Sequence, residues 1–176
     1  MRNIIALAGT NSKQSINKQL ATYASGLVEN VNTTILDLND FELPLYGIDL
    51  EFENGIPENA HKFLKLIQAT DGIVLSLAEH NGAYSTVFKN LFDWLTRIDG
   101  KFWNHKPMLL MATSPGGRGG LSVLEIAKGR FPFHDANIVD VFSLPFFGDN
   151  FSEGKITNSD LDEQLKNAVL QFQKSF

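Results

Sequence analysis

Three short apolar runs, at residues 4–8, 73–78 and 107–112, each end in a small polar loop with glycine and then pass into a helical pattern. The loops are Gly9-Thr10-Asn11-Ser12-Lys13-Gln14-Ser15, Glu79-His80-Asn81-Gly82-Ala83 and Ser114-Pro115-Gly116-Gly117-Arg118-Gly119-Gly120. Uninterrupted apolar runs of this length suit strands of a parallel sheet covered on both faces. In such a sheet the loops that follow the strands all emerge at the carboxyl edge, where ligands bind at the point of strand-order reversal. The three loops are therefore expected to converge on one ligand.

With 176 residues and 43% hydrophobic content, the chain can bury a sizeable core, and its length favours one domain over residues 1–176. Fifteen Lys and Arg against twenty Asp and Glu, a net charge of -5 with no basic run, argue against a nucleic-acid partner. The lack of cysteine excludes disulfides, thiolate nucleophiles and thiolate metal sites, and fits a reducing, cytoplasmic setting. Redox work, if there is any, must belong to a bound cofactor. No apolar stretch reaches membrane-spanning length and the N-terminal run is too brief for a signal peptide, so no membrane partner is expected.

Along the chain, strands are expected at 4–8, 33–38, 73–78, 107–112 and 138–142. Helices are expected after a Ser15 cap, from Pro57, over 87–98, over 121–129 and from an Asn158 or Ser159 cap to Phe172. Residues 39–57 read as a long irregular connection that helps cover a site or a partner surface. Five strands alternating with five helices predict an α/β fold, a flavodoxin-like doubly wound five-stranded parallel sheet in the order 2-1-3-4-5.

The first loop suits a phosphate monoester. A helix starting near Ser15 offers backbone N–H groups and the positive end of its dipole, Thr10, Ser12 and Ser15 add hydroxyls, Asn17 an amide, and Lys13 a charge. No Gly-x-Gly-x-x-Gly announces a pyrophosphate, and no Gly-Lys-Ser or Gly-Lys-Thr a nucleoside triphosphate. The bland alternative is an ordinary turn capped by serine. Asp37 reads as a solvated strand end. His61, His105 and His134 show no metal-ligand spacing, and no metal site is expected.

Glu79-His80-Asn81-Gly82-Ala83-Tyr84, followed by Lys89-Asn90 and Asp93-Trp94, resembles the flavin edge of the NADPH-dependent FMN reductases, a flavodoxin-like family. That family carries Pro-Glu-Tyr-Asn after the third strand and Leu-Lys-Asn-Ala-Ile-Asp-Trp in the next helix. Gly9, Ser15 and Asn17 resemble its Gly-Ser-x-Arg-x-x-Ser-x-Asn loop, with Thr10 a conservative change. Ser114, Gly116, Gly117, Gly119 and Gly120 resemble its Ser-x-Gly-x-x-Gly-Gly loop. The matches run from Ile4 to Gly120. Two positions depart from the pattern: Ser12 stands for the family's phosphate-gripping arginine, and His80 for its tyrosine.

The resemblance implies FMN as cofactor, held by Thr10, Ser12, Ser15 and Asn17 at its phosphate and by Glu79, His80, Asn81, Gly82, Ser114, Gly116 and Gly117 around its ring. NAD(P)H would be the co-substrate, with a second small-molecule acceptor: free flavin, quinone, azo compound or metal ion. No protein group is expected to be catalytic, since the flavin carries the reaction. His80 reads either as a contact beside the flavin or as an exposed loop histidine without a part. Arg118 is a candidate for the NADPH 2′-phosphate or an ordinary solvated side chain. The broad apolar girth of the 87–98 helix, together with the resemblance, implies a homodimer or homotetramer touching Phe102-Trp103 and part of residues 39–57. The competing reading is a flavodoxin-type FMN-binding electron carrier, for which Tyr84 is the one aromatic placed to shield the ring. A phosphoacceptor receiver domain lacks its acidic pair after the first strand.

Overall fold

In the computed structural model, which describes residues 1–176, the opening apolar run becomes the strand β1 (Arg2–Gly9), flanked by β2 (Val31–Leu36) and β3 (Gly72–Leu77). Beyond β3 lie β6 (Pro107–Thr113) and β7 (Asn137–Leu144), giving one parallel sheet in the order β2-β1-β3-β6-β7. This is the expected 2-1-3-4-5 order, and the reversal falls between β1 and β3. Both faces are covered, which is why the central strands are largely apolar runs. Ile5 and Leu7 point into a core shared with the helices α3 (Glu58–Ala69), α4 (Thr86–Ile98) and α5 (Leu121–Arg130). Ile4 and Ala6 face α1 (Ile16–Gly26) and α7 (Ser159–Gln173). No helix is long and apolar enough to cross a membrane.

Helix starts follow local chemistry. Ser15 Oγ accepts the Lys18 N–H at 3.0 Å to cap α1, and Asn158 caps α7 through the Asp160 and Leu161 amides. Ser85 caps α4 by accepting the Phe88 N–H, and its own hydroxyl donates to the Gly9 carbonyl at 2.6 Å. One side chain thus starts a helix and ties it to the end of β1.

The 39–57 connection departs from the irregular structure expected of it. It holds a 3-10 turn at Leu38–Phe41 and a short helix, α2 (Ile48–Asn54), with no buried residue. Tertiary contacts hold α2, because Arg97 Nε donates to Glu51 at 2.8 Å and Tyr46 Oη to the same carboxylate at 3.0 Å. Three further small elements went unforeseen: the hairpin β4 (Glu79–His80) with β5 (Ala83–Tyr84), the short helix α6 (Phe147–Asn150), and the hairpin β8 (Phe151–Ser152) with β9 (Lys155–Ile156).

Two expectations about a partner surface are corrected. Phe102 and Trp103 are fully buried within this chain, stacked among Phe92, Phe131 and His134, and present nothing to a second subunit. The girth of α4 is covered from within as well. Residues 43–46 lie across it, with Trp94 Nε1 donating to the Pro44 carbonyl at 2.8 Å, Asn90 Nδ2 to the same oxygen at 3.0 Å, and Tyr46 edge-on to Trp94.

Candidate functional site

The loops after β1, β3 and β6 do meet. Thr10, Ser12, Ser15 and Asn17 from the first, Glu79 and His80 from the second, and Ser114 and Pro115 from the third line one crevice of about 220 Å³. His80 also borders an adjoining groove of about 400 Å³, walled by Leu43, Leu45 and Val87 with Asn11, Thr86 and Asn90. The crevice alone is smaller than the roughly 300 Å³ at which ligand pockets begin, and the two spaces together exceed it. The largest depression, about 570 Å³, runs instead along α1 toward Phe151 and meets the crevice at Gln14 and Ser15. None of its lining comes from the second or third loop. Converging donors, not volume, single out the crevice.

The first loop ends at a helix start suited to an anion. The first turn of α1 carries no acidic residue and Ser15 satisfies only the Lys18 amide, while Lys13 lines the adjoining depression along α1 rather than the crevice itself. Thr10 Oγ1 accepts the Ser12 N–H at 3.2 Å, which shapes the loop. Ser12 is exposed, so the position of the family arginine faces solvent with only a hydroxyl.

Asn17 lies at the floor of the crevice with its side chain 3% exposed: Oδ1 accepts the Ser76 hydroxyl at 2.7 Å and the Thr113 N–H at 3.0 Å, and one Nδ2 hydrogen goes to the Thr113 carbonyl at 3.2 Å. It brackets β3 and β6 to the start of α1, and so sets the floor of the crevice. Asp37 is not a merely solvated strand end either. The Lys18 ammonium, hydrogen-bonded to it, and the Asn39 amide hold its carboxyl below the usual carboxylate range.

The second loop is a two-residue hairpin. Asn81 (φ +52°) and Gly82 (φ +76°) make its turn, and both take the left-handed backbone that the type I′ turn demands. Asn-Gly between two short strands is the strongest local hairpin signal, and it could have been read from the sequence. The Glu79 carboxylate points away from the crevice and accepts the Val123 N–H at 3.1 Å, supplying the side-chain cap that Gly120 cannot give α5. His80 is exposed between crevice and groove. Tyr84 turns inward rather than over the crevice. It packs against Phe88, Phe92 and Phe131, and burial pushes its phenol up to about 12.

In the third loop, Ser114 Oγ donates to the Gly116 carbonyl at 3.2 Å, while Gly116 and Gly117 are exposed. Gly117 lets the Phe146 ring rest on the loop, since a Cβ there would sit 2.7 Å from Phe146 Cζ. Phe146 itself went unremarked in the sequence. It has φ +46°, a left-handed backbone that costs a bulky residue on the order of 1–3 kcal/mol. Arg118 is exposed and donates to Ser122 Oγ at 3.2 Å.

The donor set fits a phosphorylated planar heterocycle: hydroxyls and an uncompensated helix start at one end, exposed backbone of two loops at the other. Known proteins agree. Residues 2–149 match the family model of NADPH-dependent FMN reductases. An NADPH azoreductase from Bacillus sp. (strain OY1-2) is 32% identical over 121 residues, 69% of this chain and 64% of that protein. A quinone reductase from Escherichia coli (strain K12) is 27% identical over 141 residues, 78% of this chain and 73% of that one. Among solved structures, FerB, a flavoenzyme NAD(P)H:(acceptor) oxidoreductase from Paracoccus denitrificans, shares the fold with a TM-score of 0.78 at 24% identity, covering 99% of this chain and 96% of its own. The chain belongs to the NADPH-dependent FMN reductase family and is an NAD(P)H-dependent oxidoreductase with FMN as its cofactor.

Proposed function

We propose that the chain reduces a quinone or an azo compound with NAD(P)H at the carboxyl edge of the sheet. The observation that carries this is the groove of Leu43, Leu45 and Val87 with polar neighbours, joined through His80 to the crevice, which gives a flat acceptor room beside the cofactor. The names of the quinone reductase and azoreductase relatives support the same acceptor class.

The residues of the three loops would hold FMN, which would supply two-electron hydride chemistry between the nicotinamide and the acceptor. Thr10, Ser12 and Ser15, with the first-turn amides of α1 and Lys13, hold the phosphate. The backbone of residues 79–82 and 114–117 flanks the ring, where N–H donors stabilise negative charge growing there. Gly82 keeps the turn tight, and Asn17 and Glu79 act indirectly, by holding the three loops together.

The carrier reading is disfavoured by one observation. Tyr84 lies inside an aromatic cluster and gives a flavin no shield from the second loop. A homodimer completes the proposal. Its surface would be the exposed Leu45, Ile48 and Phe52 beside the groove, in place of Phe102 and Trp103, and light scattering tests it by molar mass.

The decisive experiment is anaerobic mixing of FMN-loaded protein with NADPH, then addition of a quinone or an azo dye. Bleaching of the oxidised-flavin absorbance and its return with either acceptor is the expected result. Absorbance that does not bleach overturns the proposal, as does bleaching that neither acceptor reverses.

A further inference from the structure

We infer that Phe146 and Arg118 form a platform for the adenosine end of the nicotinamide dinucleotide, with Arg118 selecting the 2′-phosphate and therefore NADPH over NADH. This rests on the reading that hydride enters at the crevice between the three loops.

Burial does not account for Phe146. Its ring is 49% exposed on a left-handed backbone, whereas the neighbouring Phe147 is 8% exposed and stacks on Phe151 with centroids 4.7 Å apart. Backbone bonds hold the position, with the tip of the ring against Gly117: the Phe146 N–H donates to the Gly116 carbonyl at 3.1 Å, and the Phe146 carbonyl accepts from Asp149 and Asn150 at 2.9 and 3.1 Å. Any residue makes those bonds, and asparagine or glycine makes them without the strain. A strained backbone that presents an exposed ring points to a ligand.

The neighbouring charge says which. The tip of the ring abuts Gly117, and the next residue is Arg118, which joins none of the ion pairs of the chain. An exposed ring lying against Gly117, with an unneutralised guanidinium carried by the following residue, matches a purine whose ribose bears a phosphate. The base stacks, and the planar fork takes the phosphate with two parallel bonds. Placement agrees as well. Ser114 and Pro115 line the crevice while Gly116 and Gly117 reach Phe146, so the third loop bridges the two places and an extended dinucleotide can lie along it.

Calorimetric titration of the protein with adenosine 2′,5′-bisphosphate and with 5′-AMP, alongside thermal melts, tests the inference without any turnover. Arg118→Ala is expected to weaken the bisphosphate about tenfold and leave 5′-AMP unchanged. Phe146→Asn is expected to weaken both about tenfold while Tm holds or rises. In steady state, the preference of kcat/KM for NADPH over NADH should fall about tenfold in Arg118→Ala. Equal loss for both nucleotides in Arg118→Ala overturns the inference, as does a lower Tm in Phe146→Asn with nucleotide affinity intact. Wild-type protein that binds the bisphosphate through Arg118 yet oxidises neither dinucleotide would sink the underlying reading instead.

Discussion

The side chain of Asn17 meets the backbone of Thr113 as a neighbouring strand would: Nδ2 donates to its carbonyl at 3.2 Å and Oδ1 accepts its N–H at 3.0 Å. Thr113 lies one residue beyond the last β3–β6 pair, Leu77 with Ala112, so an amide on α1 replaces the missing strand just where the ligand crevice opens. Asn17→Ala leaves a buried N–H, a buried carbonyl and the Ser76 hydroxyl without partners. The expected loss is about 2–3 kcal/mol, read by urea denaturation with an unchanged m-value. Asn17→Asp should lose more, since it keeps the acceptors, lacks the donor and buries a charge.

Tyr84 predicts the opposite sign. Its hydroxyl is buried without a partner, so Tyr84→Phe is expected to stabilise the protein at pH 7 by about 1 kcal/mol.

The same group marks the alkaline limb. Burial raises Tyr84 to about 12, and burial with the Asp162 carboxylate raises Tyr23 to about 12. In both, the fold favours the protonated phenol. That stability is fully present below the ordinary phenol value of about 10 and is lost as pH climbs toward 12. Denaturation midpoints should fall steeply across that window, and the slope in Tyr84→Phe should be shallower by one proton.

Ser12 stands exposed where the family has arginine. Ser12→Arg supplies the charge-assisted two-pronged contact to a phosphate and should tighten FMN about tenfold. Titration of FMN by fluorescence quenching checks this, and equal affinities in the two proteins would remove the phosphate from the first loop.

Glu79 caps α5 from the second loop. Glu79→Ala should destabilise by about 1 kcal/mol and weaken FMN as well, because the second and third loops lose their tie. Equilibrium melts and the same quenching titration read the two effects separately.

The sheet was legible in the sequence because its central strands are predominantly apolar runs and the loops after them carry glycine. The short elements were not. α2 has no buried residue and exists through the Arg97 and Tyr46 contacts to Glu51, which lie far off in sequence. The site was legible as a set of loops but less so as a set of contacts. Polar residues at motif positions read as ligand donors, yet the side chains of Asn17 and Glu79 also tie parts of the protein together. Only long-range pairing with Thr113 and Val123 reveals it. Phe146 escaped notice because a strained φ leaves no trace in residue type when the residue is a phenylalanine.

The strap of residues 43–46 fastens to α4 through the Pro44 carbonyl, an atom every residue type possesses, while Leu43 and Leu45 on either side form the groove wall. At Leu45, which is exposed, anchorage and lining are thereby separated, whereas Leu43 also packs against the core. Exchanging Leu45 alters which molecules the groove admits without loosening the attachment of the strap, so one codon can retune the acceptor while the sheet folds as before.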